Sequence, residues 1–419
     1  MDTANILRQY IDEYFNIWPF SGVICVCKAG EIIFQSATGQ ACREHGIDNT
    51  METCFSLGSI SKQFTAFSIL QLYEKGLLDI FAPANQYLPK EYWVDTRITP
   101  HHLMSHTAGL NQFYDFDHDF FGIYNRGTYN QFDYFKKYID QPLRFSPGEK
   151  FEYSNAGYNL LAWIVEHISG MPFEAYLKEN VFLPLGMAHT ALDTGTNIIK
   201  NKAYPYQMDM DTPVRCQYYN EKFSAGAGGV VSNCGDLLLW YKCLRERRLL
   251  SGETYALFFS ENKNAYCYGL NHDKIYDRER YFHGGDHFGV MAYMQSFFQE
   301  DTCVIVLANL ECGHHYHIGD SISRILFTGI YEKPRRLARV AISEELAQLY
   351  EGVYLDGKIE LRRYGEDWAF VRCGGELRIA VYPAGTHAFA RKWDDQKKPH
   401  ELEPFGRSIK FFGYEKHVK

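Results

Sequence analysis

The 419-residue chain contains no uninterrupted apolar run of about 18 residues, so no segment of it is expected to cross a membrane. It has no excess of positive charge either. Lys and Arg number 43 against 51 Asp and Glu, a formal net charge of −8, and a nucleic-acid partner needs a basic face against its phosphates, so that class of partner is excluded. The glycine cluster at 225–231, "AGAGGVV", lacks the Gly-Lys-Ser/Thr ending of a phosphate loop and the helix-opening spacing of a dinucleotide fingerprint. It reads as a close-packed turn. Eleven cysteines are present, an odd count without tight spacing, which fits a reducing compartment better than a disulfide framework. The opening, "MDTANILRQYIDEYFNIWPFSG", scatters charges through what would be the apolar core of a secretory signal. A cytoplasmic location is therefore expected, with Ile6, Tyr10 and Phe15 outlining an amphipathic helix. No fixed-period repeat or low-complexity tract occurs.

What is present divides into two parts. A chain of this length exceeds one ordinary core, so a large domain over 1–335 and a small one over 341–419 are expected. Residues 21–37 hold two β-branched runs around Lys28-Ala29-Gly30, a hairpin in which Cys25 and Cys27 alternate and should be buried. From Ser61 to Gly76 the sequence is apolar on nearly every side, which suits a buried helix. A helical region follows over 97–193, including "NAGYNLLAWIVEHISG", closed by Gly170. Strand-like runs return at 286–308 and a helix at 317–331, so the first and last segments of this part should share one sheet. Beyond 341 come short alternating strands such as "DWAFVRC" and "ELRIAVYP". The fold class is thus α/β of the α+β kind: an antiparallel sheet flanked by helices, a helical subdomain, and a small barrel-like β domain.

Three short stretches carry chemistry. In "SLGSISKQF", Ser59 stands three residues ahead of Lys62, which on a helix puts an amine beside a hydroxyl that needs a base. Spacing alone decides little, because Ser260-Glu-Asn-Lys263 repeats it in a polar stretch. "FSPGEKFEYSNAGYNLL" adds a phenol at Tyr153 and an amide at Asn155, one able to relay a proton and the other to bind a carbonyl or cap a helix. In "YFHGGDHFGV", His283 precedes Gly284, Gly285 and Asp286; glycines let a strand approach a ligand and aim an N–H at an oxyanion.

In this order the three resemble the SxxK, YxN and K/HxG motifs of the serine β-lactamase-like superfamily, which includes class C β-lactamases, D-alanyl-D-alanine carboxypeptidases, D-aminopeptidases and esterases. The likeness runs over roughly residues 15–330 through "ITPHHLMSHTAGL", "VFLPLGMAHT" and "GAGGVVSNCGDLLLW". It implies a β-lactamase-like fold and an acyl-enzyme on Ser59, with Lys62 as base and Tyr153 shuttling protons. It also implies that Asn155 binds the substrate carbonyl, that the N–H groups of Ser59 and Asp286 form the oxyanion hole, and that no metal or cofactor is used. His283 stands where many β-lactamases and carboxypeptidases carry lysine, which removes a fixed charge for a substrate carboxylate and resembles the D-aminopeptidase and esterase branches. The expected substrate is a small molecule or short peptide, amide or ester. β-Lactamase or DD-carboxypeptidase activity, and a binding role without turnover, are the alternatives, and self-association is left open. The β domain resembles the lipocalin-like barrels that follow the catalytic domain in some members.

Two further features are open at this level. The aromatic stretch 111–136, with Asp115, Asp117 and Asp119, reads either as a lid over the pocket or as packing of the helical region. The imidazoles in "HHYH" at 314–317 read as an exposed loop before a helix rather than a metal site.

Overall fold

The computed structural model describes residues 2–111, 134–136, 139–311, 314–355, 357–372, 375, 377–385, 388–393, 400–403 and 408–410. Its centre is a six-stranded antiparallel sheet built from both ends of the large unit. β1 (Gly22–Lys28) and β2 (Glu31–Thr38) form the N-terminal hairpin. Ala29 and Gly30 turn it with φ of 52° and 77°, the left-handed pair that matches strand twist. β3 (Asn271–Ile275), β4 (Arg278–His287), β5 (Val290–Phe297) and β6 (Thr302–Ala308) complete the order β3-β4-β5-β6-β1-β2. β1 pairs β6 from Gly22 with Ala308 to Lys28 with Thr302, so first and last segments share the sheet as expected.

Helices cover both faces, which is why β1 and β6 read as unbroken apolar runs instead of alternating. On one face, α1 (Thr3–Phe15) packs Leu7, Tyr10, Ile11 and Tyr14 against Ile24, Val26, Val304 and Val306. α4 (His315–Thr328) joins it there through Ile318, Ile322 and Ile325 and stops at Gly329, φ 66°. On the other face, α2 (Lys62–Glu74) and α3 (Asn155–Ser169) share a large core with Val23, Cys25 and Cys27. Residues Lys62 to Leu72 are all buried, as the all-round apolar pattern requires. Gly170 ends α3 at φ 69°. The nine cysteines among the described residues are buried and free of disulfides.

The C-terminal strands, from Gly352–Tyr354 to Ser408–Lys410, pair in sequence order as a seven-stranded meander. A barrel closure was expected, but among the described residues the first and last strands do not pair, and the sheet is open. Its own core gathers Tyr350, Tyr354, Leu361, Trp368, Phe370, Val381 and Phe389. It docks on the hairpin of strands Tyr206–Asp209 and Thr212–Arg215, where Arg378 binds Asp209 through Nε at 2.9 Å and Nη2 at 2.7 Å. The stretch 112–133, with Asp115, Asp117 and Asp119, lies outside the described residues.

Arg280 ties the sheet edge to α4. Its guanidinium, 6% exposed, donates to Asp273 on β3, Asp320 on α4, Tyr293 Oη and Gln295 Oε1. Both acids are part-exposed and rehydrate once released. Arg280→Ala is therefore expected to lower the unfolding free energy by about 2–3 kcal/mol, read by urea denaturation.

Candidate active site

The chain reaches Ser59 through strand Phe55–Ser56 and a 3-10 turn, Gly58–Ser61, that runs directly into α2. Gly58 has φ +51°, and a Cβ there would lie 2.9 Å from Gly285 Cα and 3.1 Å from Asp286 N. The turn thus packs backbone against backbone on β4. Ser59 keeps partial exposure while Lys62, one turn on, is 0% exposed. A buried ammonium or amine needs acceptors. Lys62 Nζ finds Ser59 Oγ at 3.0 Å, Asn155 Oδ1 at 2.7 Å and the Ala227 carbonyl at 2.7 Å. The glycine cluster accounts for the last of these. Ala225–Gly228 is a short helix packed so tightly on α3 that a Cβ on Gly226 would lie 2.1 Å from the Tyr158 carbonyl.

Asn155 opens α3, but the cap is Ser154, whose Oγ accepts the Gly157 N–H at 3.2 Å. The Asn155 amide is thereby left to face Lys62. Tyr153 lies over the same amine, with Nζ 4.7 Å from the ring centroid. Behind it stands His106, which the motifs alone did not single out although it sits in "MSHTAGL". A capping box at Thr99 starts helix Pro100–Met104, and the chain then turns at His106 with φ +57°. His106 Nδ1 accepts the Ser154 N–H at 3.0 Å, its carbonyl accepts the Glu152 N–H, and its ring lies 4.2 Å from that of Tyr153. Burial, with Lys62 and His283 nearby, holds its pKa well below 6.5, so the imidazole is neutral with its proton on Nε2.

His283, 4% exposed, has Nε2 3.3 Å from Tyr266 Oη and its ring 6.1 Å from that of Tyr153. The two glycines that follow serve opposite faces of β4. A Cβ on Gly285 would lie 1.9 Å from the Leu57 carbonyl, and one on Gly284 would lie 1.8 Å from Tyr316 Oη. The Asp286 side chain points away from Ser59, accepting from Tyr316 Oη at 2.8 Å with His315 Nε2 2.8 Å away. The expected exposed loop at 314–317 is thus corrected: His314 and His315 are buried at the start of α4, His314 Nδ1 meeting Tyr14 Oη at 3.0 Å. Tyr14 Oη beside His314 and the Asp286 carboxylate beside His315 come from distant parts of the chain, which the local sequence does not reveal. Among the described residues no cluster of His, Cys, Asp or Glu is placed to hold a metal. The second Ser-x-x-Lys is not a pair, since Lys263 is exposed and Ser260 Oγ donates to the Leu257 carbonyl.

Ser59, Lys62, Tyr153, Asn155 and the His283–Asp286 strand therefore meet in one place, and the family model described as Beta-lactamase matches residues 13–324. The chain belongs to the beta-lactamase family. It is a serine hydrolase by class. It is 30% identical to PbpX of Bacillus subtilis (strain 168) over 63% of this chain and 64% of that protein. Penicillin-binding protein 4* of the same organism is 27% identical over 88% of this chain and 87% of its own. The D-aminopeptidase of Gluconobacter oxydans (strain 621H) is 26% identical over 69% of this chain, and the match spans only 55% of that relative. Among solved structures, the octameric penicillin-binding protein homologue from Pyrococcus abyssi shares the fold, with a TM-score of 0.67 and 22% identity over 97% of this chain and 95% of that one. No helix among the described residues is long and apolar enough to cross a membrane.

His106 makes folding depend on pH. The unfolded chain takes up a proton near the ordinary value of 6.5 and the folded chain resists it, so stability falls as pH drops below 6.5 until the folded imidazole protonates. One such group contributes at most about 1.4 kcal/mol per pH unit. Urea unfolding at pH 7, 6 and 5 should show this slope, and His106→Asn, which tolerates the left-handed φ, should flatten it.

Glycine 284 yields a second expectation. Gly284→Ala drives a methyl into Tyr316 and is expected to cost about 1–3 kcal/mol, partly recovered by adding Tyr316→Ala, as thermal unfolding would read.

Proposed function

We propose that the chain is a serine acyl hydrolase that opens a small peptide, amide or ester through an acyl-enzyme on Ser59, with D-aminopeptidase or esterase character. The observation that carries this is Lys62 Nζ, buried and shared between Ser59 Oγ and Asn155 Oδ1. Ser59 Oγ attacks the carbonyl carbon and its proton passes to the Lys62–Tyr153 pair, whose members share the acid–base work. The oxyanion is held by the N–H groups of Ser59 and Asp286, on segments in contact at Gly58. Collapse expels the amine or alcohol with a proton from Tyr153, and water then releases the acid by the reverse transfer. Asn155, whose Oδ1 holds Lys62, binds the substrate carbonyl through its amide nitrogen. His283 supports the choice of branch, because an imidazole is not the fixed cation a terminal carboxylate asks for.

A second reading, penicillin binding with β-lactamase or DD-carboxypeptidase activity, is favoured by the likeness to penicillin-binding protein 4* over most of both chains. A cytoplasmic location accords with the free cysteines, and assembly into oligomers with the octameric archaeal homologue. Residues 1–335 would form the hydrolase domain and 341–419 a separate β domain.

Intact-mass spectrometry after treatment with a fluorophosphonate, a penicillin and a D-amino-acid ester tests the reading. An adduct on Ser59 that Ser59→Ala abolishes is expected, forming faster with the ester than with the penicillin. Lys62→Met should lower ester turnover by about 10²–10⁴-fold without unfolding the protein. A folded native sample that takes up none of the three reagents would overturn the proposal.

A further inference from the structure

A cavity of about 360 Å³ lies beside the nucleophile turn, between Phe55–Ser56, the end of β4 and the chain from Ile199 to Glu221. Ligand pockets start near ~300 Å³, so it has room for an aryl group. Strand alternation fixes where it lies. A Cβ on Gly285 would point at the Leu57 carbonyl, so the odd-numbered residues of β4 face the nucleophile turn, and His287 stands on that face about 7 Å beyond Gly285. His287 is in the cavity wall, and its neighbour Asp286 bears one proposed oxyanion donor. Ser56, three residues before the nucleophile, is also in the wall, so the cavity borders the segment that leads into the Ser59 turn.

The wall combines aromatic surface with one polar handle. Tyr204, Tyr219 and Phe288 supply the rings, Tyr219 lying 5.4 Å from the His287 ring. Behind them charges alternate: Asp193 is ion-paired to Lys202, and Glu221 Oε2 lies 3.4 Å from His287 Nε2. Burial alone would raise the Glu221 pKa, but His287 and Lys202 bring it below the usual range. Burial alone would lower that of His287, but Glu221 brings it above 6.5. Each partner favours the charged form of the other, and the series ends on the imidazole of His287. Neither ring nitrogen of His287 makes a hydrogen bond among the described residues; with Nε2 turned to Glu221 at 3.4 Å, Nδ1 of the protonated ring is left as a donor. The proposed acyl-transfer steps make no use of this pair.

We infer that this cavity is the subsite for the substrate's acyl side chain, and that it takes an aryl-bearing acyl group with a carbonyl or carboxylate oxygen at its tip for His287. The assignment rests on the acyl-enzyme reading above. An ammonium at the tip is disfavoured, because the contact with Glu221 favours the protonated form of His287, which repels a cation.

Three p-nitrophenyl esters with one leaving group test it: acetate, phenylacetate and (4-carboxyphenyl)acetate. The last is expected to exceed acetate in kcat/KM by about tenfold or more, and Ala203→Leu, which fills the cavity, should reduce that ratio about tenfold. His287→Gln should remove the preference for the carboxyphenyl over the plain phenyl ester. A readout independent of turnover is calorimetric titration with 4-carboxyphenylacetate, whose binding each variant should weaken about tenfold. Unchanged ratios and unchanged binding in both variants would overturn the subsite, as would a native protein that neither prefers the aryl esters nor binds the acid. Fluorophosphonate labelling of Ser59 separates the two ideas. Labelling with failed cavity tests removes the subsite alone, whereas binding that responds to the variants without any labelling keeps the cavity and removes the acyl-enzyme.

Discussion

Gly58 and Gly285 meet backbone to backbone, and the geometry of the site follows from that contact. A side chain on either would need space already taken by the Leu57 carbonyl or by the strand itself. With both positions bare, the turn that carries Ser59 and the strand that carries Asp286 come as close as two peptide chains can. The next glycine does the same work on the other face. Gly284 makes room for Tyr316, whose hydroxyl, with His315 beside it, holds the Asp286 carboxylate against α4. β4 is thus located from both sides, with its His283 and His287 side chains on the face toward the nucleophile turn.

The burial of Lys62 is the second constraint. α2 is apolar almost all round because it lies inside the molecule, and the amine it carries cannot reach water. Each polar contact of Lys62 therefore has to come from the protein, and the three found here come from the helix turn before it, from the start of α3 and from the glycine-rich helix. Burial acts on His106 as well. Beside Lys62 and out of water, it is kept neutral, and it supports Tyr153 through packing and through the Ser154 N–H.

Much of the local structure was legible in the residues. Gly170 and Gly329 end helices in left-handed conformations, Ala29-Gly30 turns a hairpin, and the all-round apolar pattern after Ser61 became a buried helix. The 314–317 imidazoles read locally as an exposed loop, because histidine is found both in water and in a core. His106 gives no local signal for a related reason: nothing in its neighbours says that Tyr153 will lie against it.

What the sequence determined by itself was the inventory of reacting groups and the local turns and caps, since these depend on contacts within about four residues. It also set a serine three residues ahead of a lysine, twice. Only the tertiary structure decided between Ser59–Lys62 and Ser260–Lys263, because the deciding acceptors, Asn155 and Ala227, lie 93 and 165 residues from Lys62. The same holds for the cavity beyond β4, whose wall joins Phe55, Glu221 and His287. Burial and long-range hydrogen bonding select among chemically equal motifs, and both exist only once the chain is packed.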